Sequence, residues 1–454
     1  MAKSKIIYVC SECGATAYKW QGRCDSCGEF NTFEEQISAP QTKQIKTANI
    51  SSLSATPITK ISTTEESRYK TGMSELDRVL GGGIVKGSLI LLSGDPGIGK
   101  STILLQICEH LCKENNVLYV SGEESARQIK LRADRLGVHS DNLMIMTGNN
   151  AEAVNTYIEN NKPGLVIIDS IQTMSISEIS SVPGSLTQVR ECTNLFLRTA
   201  KTLEIPIIIV GHVNKDGAIA GPKVLEHIVD AVLYFEGEKS LACRILRAVK
   251  NRFGSTNEIG MFEMKDSGMT QIENPSGMLI SGRPKNVPGT CVACVMEGSR
   301  PILAEVQGLV AASPFGNPRR TSNGFDYNRM SLILAVLEKR AGYIFSSCDA
   351  YVNVAGGLKL DEPAADLPTA VALISSLKDA VINEKTVVFG EIGLAGEVRA
   401  VTNAVQRVSE ASRLGFERCV IPIHNLSDIP EKLKNSIEII GVRTIRKAFE
   451  ASVN

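Results

Sequence analysis

The sequence has no charge imbalance: its 454 residues carry 49 Lys and Arg against 49 Asp and Glu. The chain as a whole therefore advertises no polyanion affinity, although a local basic patch survives such a balance. Aromatic residues are scarce, at 5%, with a single tryptophan, Trp20. A nucleic-acid surface with so few rings would track backbone phosphates rather than stack bases. No apolar run approaches the roughly 18 residues of a membrane span, so none is expected. The opening MAKSKIIYVC has two lysines but no apolar core of signal-peptide length, and a soluble, cytoplasmic protein is expected.

Cysteine is not scarce, at 12, but its distribution is uneven. Cys10-x-x-Cys13 and Cys24-x-x-Cys27 form two knuckles separated by GATAYKWQGR. Each knuckle supplies two thiolates on a tight turn, and four sulfurs close a tetrahedral Zn²⁺ site with no position left for water. A redox pair or an iron–sulfur centre is the competing reading. Cys108, Cys112, Cys192, Cys243, Cys348 and Cys419 lie singly in apolar or helical surroundings and read as small buried hydrophobes. Cys291-Val-Ala-Cys294 lies in a strand-like run, where residues three apart face opposite sides, so it reads as core.

Texture divides the chain into residues 1–34, a four-cysteine zinc-finger module; 35–66, a flexible Ser/Thr/Lys/Gln-rich linker; 67–284; and 285–454. From 67 onward, SLILLSG (88–94), NVLYVSG (116–122), NLMIMTG (142–148), GLVIIDS (164–170) and IPIIIVGH (205–212) read as buried strands. Helical patterns near 100–113, 125–136, 151–161 and 185–204 intervene, which predicts an α/β fold with a parallel sheet covered on both faces. Beyond Glu236 the spacing becomes hairpin-like, and the last segment mixes strands and helices.

LLSGDPGIGKST places Gly94 four residues before Gly99-Lys100-Ser101. This spacing makes a phosphate-binding P-loop: backbone N–H groups of Gly94, Asp95, Pro96, Gly97, Ile98, Gly99 and Thr102 (Pro96 excepted as a donor) surround the phosphates, Lys100 reaches the β/γ-phosphates, and Ser101 ligates Mg²⁺. LVIID ends a strand on Asp169, suited to hold the same Mg²⁺. YVSGEES ends another on Glu123 and Glu124, where Glu123 is placed to act as general base on the attacking water and Glu124 to start a helix. VNKDG resembles a guanine-specificity motif, but Asp216 comes one residue too early, which favours ATP.

The two knuckles, TGMSELDRVLGGGIVKGSLILLSGDPGIGKST, GHVNKDG and KNRFG (250–254) together resemble the RadA (Sms) family of bacterial DNA recombination and repair ATPases over essentially the whole chain. The resemblance implies a zinc ribbon-like module, a RecA-like ATPase core and an α+β Lon-protease-like C-terminal domain, matched most tightly over 349–454. It further implies DNA-stimulated ATP hydrolysis and branch migration with the RecA recombinase on single-stranded and branched DNA, in a hexameric ring. Within KNRFG, Lys250 and Arg252 lie two apart and would share one face of a strand. Acting from a neighbouring subunit they would stabilise charge on the γ-phosphate; an exposed basic strand or a DNA contact is the alternative. His212 reads as a γ-phosphate sensor, with a hydrogen-bonded structural histidine as the alternative. Loops 174–184 and 214–223, with Lys215 and Lys223, and the Arg319-Arg320 pair are candidate DNA contacts. TGMSELDRVLGGGI is also shared with KaiC-like regulatory ATPases and autokinases, the second reading.

LDEPAADLPTAVALISS and GEIGLAGEVRAV resemble the Lon protease domain, whose chemistry needs a serine activated by a lysine. Here Thr369 occupies the serine position and Val405, followed by Gln406 and Arg407, the lysine position. Valine accepts no proton and arginine is never neutral, so the expectation is a Lon-like shape without proteolysis.

Overall fold

The computed structural model describes residues 5–10, 15–25, 28–38, 57, 68–211, 225–237, 243–313 and 318–453. His212, Lys215, Lys223, Cys13 and Cys27, and nearly all of the expected linker, lie outside the described residues. The chain divides into two compact units, the second taking Ile272–Asn454 with the short stretch Ser240–Cys243, and the first taking the rest.

The first unit is built on a nine-stranded sheet. From one edge the strands run Gly268–Gln271, Ile259–Lys265, Cys243–Asn251, Ala231–Glu236, Leu89–Gly94, Ile207–Val210, Leu165–Asp169, Val117–Ser121 and Leu143–Thr147. The six from Ala231–Glu236 to Leu143–Thr147 are mutually parallel. Side chains alternate between two cores, as a pleat of period 2 requires. Ile90, Leu92, Tyr119, Ile167 and Ile208 join one, whereas Leu89, Leu91, Leu118, Ile168 and Ile209 join the other. Burying each such aliphatic side chain stabilises by about 1.5–3 kcal/mol, so both faces contribute to holding the central strands straight under the loops at their ends. Helices Lys100–Leu111, Ala126–Leu136, Ala151–Asn161 and Leu186–Leu203 cover them.

One strand departs from expectation. Leu143–Thr147 is not buried: Met144 is 47% and Ile145 37% exposed. Among the described residues it is one of the two outermost strands of the sheet, with Val117–Ser121 alone beside it, and its apolar composition could not reveal that position.

At the N-terminal end, Lys5–Cys10 pairs antiparallel with Thr16–Ala17 and with Phe33–Ser38. The register Lys5↔Ser38 carries the module to Ser38, four residues past the boundary expected at 34. Sequence texture stops short because FEEQIS is polar while its backbone is fully paired.

The continuous part of the second unit starts at Ile272, thirteen residues before the expected 285. Helix Pro275–Leu279 accounts for the difference, since the Ser276 hydroxyl donates to Glu410 Oε1 (2.8 Å) and accepts from the Leu303 amide (3.1 Å). A seven-stranded mixed sheet runs Arg320–Asn323, Cys348–Val354, Arg300–Ala312, Thr290–Glu297, Thr386–Val388, Arg418–Pro422 and Glu438–Val442. Helix Asp366–Lys378 lies across it with residues 366–375 all buried. A Cβ on Gly308 would come within 3.0 Å of the Ala372 and Leu373 backbone, so the closeness of helix and strand depends on that glycine.

Candidate nucleotide site

Leu89–Gly94 ends where the backbone must turn sharply. Gly94 takes φ +141°, and a Cβ there would lie 2.7 Å from the Phe235 carbonyl; Gly99, preceding helix Lys100–Leu111, takes φ +117°. Only glycine enters these regions at little cost, and the result is a helix N-terminus whose free amides face an open loop. Gly97 has a positive φ as well. Asp95 and Pro96 are exposed, and Ile98 is buried in the core beneath, fastening the loop from inside.

Lys100 is only 4% exposed, and its ammonium donates to the carbonyls of Gly94 (2.6 Å) and Asp95 (3.0 Å). Burial pulls its pKa below the usual lysine value, against the opposing charges of Asp169, Asp95 and Glu123. Ser101 Oγ donates to Asp169 Oδ2 at 2.7 Å, and the Tyr119 hydroxyl donates to the same oxygen at 2.6 Å. Burial, then the charge of Asp169, pushes the Tyr119 hydroxyl well up, which keeps it a donor. A hydroxyl and a carboxylate brought together at a helix N-terminus form a hard-oxygen pair that fits Mg²⁺. Glu123 accepts a short hydrogen bond from Ser170 Oγ, which orients it from the adjacent strand end.

These groups share a cavity of about 390 Å³ that brings together Gly97, Gly99, Lys100, Ser101, Thr102, Glu123 and Asp169. Sequence reading missed four of its lining residues: Ser121, Arg132, Arg135 and Met264. Arg132 and Arg135 share a helix face at i,i+3 spacing, but no local pattern turns that face towards the strand ends. Met264 comes from the far hairpin, and no local pattern points to it.

Lys250 and Arg252 lie elsewhere. Asn251 pairs with Ala231, and Ala231 with Ile90, whereas Gly94 pairs with Phe235. KNRFG therefore sits at the edge where the parallel strands begin, and the phosphate loop at the edge where they end. Four residues of register separate the two levels, about 13 Å along the strand. Lys250 Nζ donates to the carbonyls of Glu226 (2.6 Å) and Val229 (2.9 Å), and burial and the nearby Arg252 lower its pKa. Arg252, with its side chain 58% exposed, contacts Asp230 at 3.4 Å. The rest of the motif is structural: Asn251 donates to the Val79 carbonyl (3.2 Å) and accepts from the Phe253 amide (2.9 Å), and Gly254 abuts Gly81.

Of the candidate DNA contacts, loop 174–184 is tied by buried Gln188, which accepts from Ile176 N (2.9 Å) and donates to the carbonyls of Ile179 (3.0 Å) and Ser181 (2.9 Å). Val182 near its apex is 71% exposed. Arg320 is engaged by the fold, donating to the carbonyls of Phe345 (2.7 Å) and Cys348, while Arg319 is exposed.

In the N-terminal module Cys10 and Cys24 are both fully buried. Cys10 N donates to Ala15 O (2.9 Å) and Cys24 N to Glu29 O (2.8 Å), each bond joining a cysteine to the residue five positions on. Two buried cysteines with the same backbone closure fit a thiolate-bound metal. Cys291 and Cys294, on strand Thr290–Glu297, are buried, and desolvation pushes both thiols far up. Cys108, Cys112, Cys192, Cys243 and Cys419 are buried too, but Cys348, at the start of its strand, is only half-buried.

Thr369 is fully buried, and its hydroxyl donates to the Ala365 carbonyl one helical turn back (2.7 Å). A cavity of about 490 Å³ in this unit is lined by Arg329, Asp366 and Leu394 among others, and not by Thr369. Val405 packs into the core of helix Ala404–Arg413. Arg407 is fully buried, donating to Glu362 through both terminal nitrogens and to the Cys294 carbonyl (2.7 Å).

A family model described as an AAA domain matches residues 55–218. Another, the rubredoxin metal binding domain, matches 8–35, and a third, subunit ChlI of Mg-chelatase, matches 328–425. The chain is 52% identical to the DNA repair protein RadA of Halalkalibacterium halodurans over 100% of both chains. It is 49% identical to that of Bacillus subtilis and 50% to that of Listeria monocytogenes, again over 100% of both. Among the described residues no helix is long and apolar enough to cross a membrane.

Proposed function

Because the chain belongs to the RadA family of DNA repair proteins and carries an AAA-type ATPase domain, we propose that it is a DNA-stimulated ATPase that promotes branch migration of recombination intermediates. In this reading it works as a hexameric ring on single-stranded and branched DNA, beside the RecA recombinase. The observation that carries the ring is the placement of Lys250 and Arg252 at the sheet edge opposite the phosphate loop of their own chain. Cations so placed serve hydrolysis only by reaching the loop of a neighbour, and a head-to-tail contact that repeats and closes is a ring.

Ser101 and Asp169 would hold Mg²⁺, which would neutralise phosphate charge. Lys100 leaves the Gly94 and Asp95 carbonyls for the phosphates, exchanging neutral acceptors for charged ones. Glu123, oriented by Ser170, takes the proton of the attacking water. Arg252 of one subunit meets developing charge on the γ-phosphate of the next. The N-terminal module holds Zn²⁺ through Cys10, Cys13, Cys24 and Cys27. The C-terminal unit serves as scaffold and not as protease: its one candidate hydroxyl is buried and bonded to its own helix, with valine where the activating lysine belongs.

The test is the ATPase rate with and without single-stranded and forked DNA at two salt concentrations. DNA should raise the rate, less so at high salt, since phosphate contacts weaken as counterions compete. A rate indifferent to DNA at both salts removes the proposal.

A further inference from the structure

Beside the proposed base, the nucleotide cavity carries a cation with no assigned task. Arg132 Nη2 lies 2.5 Å from Glu124 Oε1, and both residues line the cavity with Lys100, Glu123 and Asp169. We propose that Arg132 is a contact of the nucleotide's terminal phosphate from within the same subunit, held in reserve by Glu124 and released to the substrate when a triphosphate binds. The proposal rests on the ATPase reading but not on DNA, ring or partner.

Three observations carry it. First, the pair is exchangeable: its side chains are 25% and 32% exposed, and a part-exposed ion pair contributes little that a multiply charged phosphate would not exceed. Its one short contact also leaves most of the guanidinium's five N–H groups for a second anion. Second, the charges balance without substrate. Lys100, Arg132 and Arg135 face Glu123, Glu124 and Asp169, so a Mg²⁺-bound triphosphate, itself anionic, leaves the cavity with excess negative charge and favours turning its cations towards the phosphates. Lys100 is buried against carbonyls, and Arg135, one turn on, has no ion-pair partner among the described residues; Arg132 is the cation paired to a carboxylate in the cavity.

Third, the mounting is rigid. Helix Ala126–Leu136 begins with a capping box, in which Ser125 Oγ accepts from Gln128 N and Gln128 Oε1 accepts from Ser125 N. The Glu124 amide is fixed on Ser121 Oγ at 3.0 Å. The exchange is therefore a movement of two side chains on a fixed frame. It would also free the Glu124 carboxylate only when a terminal phosphate is present, beside the strand end that carries Glu123.

The experiment measures binding of ADP and of a non-hydrolysable β,γ-imido ATP analogue, with Mg²⁺ and without DNA, for the full chain and for R132Q, R132K and E124Q. R132Q should weaken the analogue about tenfold, the size of one charge-assisted hydrogen bond, and ADP less than about twofold. R132K should recover part of the loss, because it restores charge without the fork. E124Q should tighten the analogue, because the competing carboxylate is gone. Equal weakening of ADP and analogue by R132Q, or no change in either, overturns the proposal. If R132Q fails to fold, as judged by its melting profile, E124Q decides: weaker analogue binding sinks the idea. Absence of any nucleotide binding by the unaltered protein would instead mark failure of the ATPase reading.

Discussion

The buried carboxylate of Asp230 accepts the backbone amide of Leu89 at 3.0 Å, joining the start of the phosphate-loop strand to the segment that carries Lys250 and Arg252. Asp230 is 2% exposed and also meets Lys201 (2.7 Å) and Arg252 (3.4 Å). One side chain thus positions the proposed finger and anchors the strand whose other end leads into the proposed phosphate loop. Strain on either edge of the sheet has a direct covalent route to the other, along Leu89–Gly94.

Asp230→Ala should lower stability by about 1–3 kcal/mol, chiefly because the Leu89 amide is left without its buried acceptor. Lys201 and Arg252 are half-exposed, so losing their ion pairs adds little. Asp230→Asn, which keeps an acceptor oxygen, should lose less. Urea unfolding of the three proteins checks the order; equal midpoints would mean that the amide is satisfied elsewhere.

Arg252→Ala should cut hydrolysis by at least about tenfold and leave ATP binding within about twofold, as expected for a group that acts on transition-state charge. Lys250→Ala should also lower the melting temperature, because Lys250 holds the Glu226 and Val229 carbonyls. Mixing Arg252→Ala subunits with Lys100→Met subunits should restore part of the activity, since each supplies what the other lacks across a shared interface. If the mixture hydrolyses no more than its components, the finger does not act between subunits.

Lys100→Met should abolish hydrolysis without destabilising the unliganded fold. Burial lowers the lysine's pKa, so at neutral pH the folded chain carries a cation it would rather shed. That cost is present below the folded pKa and is relieved as pH rises towards the unfolded value, so removing the ammonium stabilises at neutral pH. Its two carbonyl contacts oppose this, and the expected net change in melting temperature is about zero or upward. A marked fall would show that the lysine holds the loop together before nucleotide arrives.

Features encoded within a few residues are legible in the sequence. The glycines of the phosphate loop announce the backbone angles they adopt, and the strands from 88 to 212 announce themselves as apolar runs bounded by turns. What escapes depends on register and on contacts distant in sequence. Nothing in KNRFG says that its strand pairs antiparallel to Ala231–Glu236, which decides the edge it occupies. Asp230 escapes notice because a carboxylate in IVDAVLYF reads as a strand start until Lys201 and Arg252 are seen beside it. Arg132 looks like one more solvated helix charge, and only the fold turns it towards Glu124. Leu143–Thr147 shows the converse: its composition is that of a core strand, and its edge position leaves it half-exposed.

The C-terminal unit offers a last contrast between Thr369, at the expected serine position, and Arg407, two residues past the expected lysine position. Thr369→Val removes a buried hydroxyl that serves only the Ala365 carbonyl of its own helix, and should cost no more than about 1 kcal/mol. Arg407→Met removes a fully buried guanidinium that holds Glu362 and the carbonyls of Cys294 and Thr402, and stacks over Phe389. It should cost about 3 kcal/mol, since a carboxylate and two carbonyls lose their donor together, with Glu362 partly rescued by water at 22% exposure. Neither variant, nor the unaltered chain, should cleave casein in the presence of ATP. Denaturant unfolding of the two variants gives the stability difference. If Thr369→Val proves the more damaging, or if ATP-dependent casein cleavage appears and vanishes with it, the unit has kept chemistry that its buried threonine argues against.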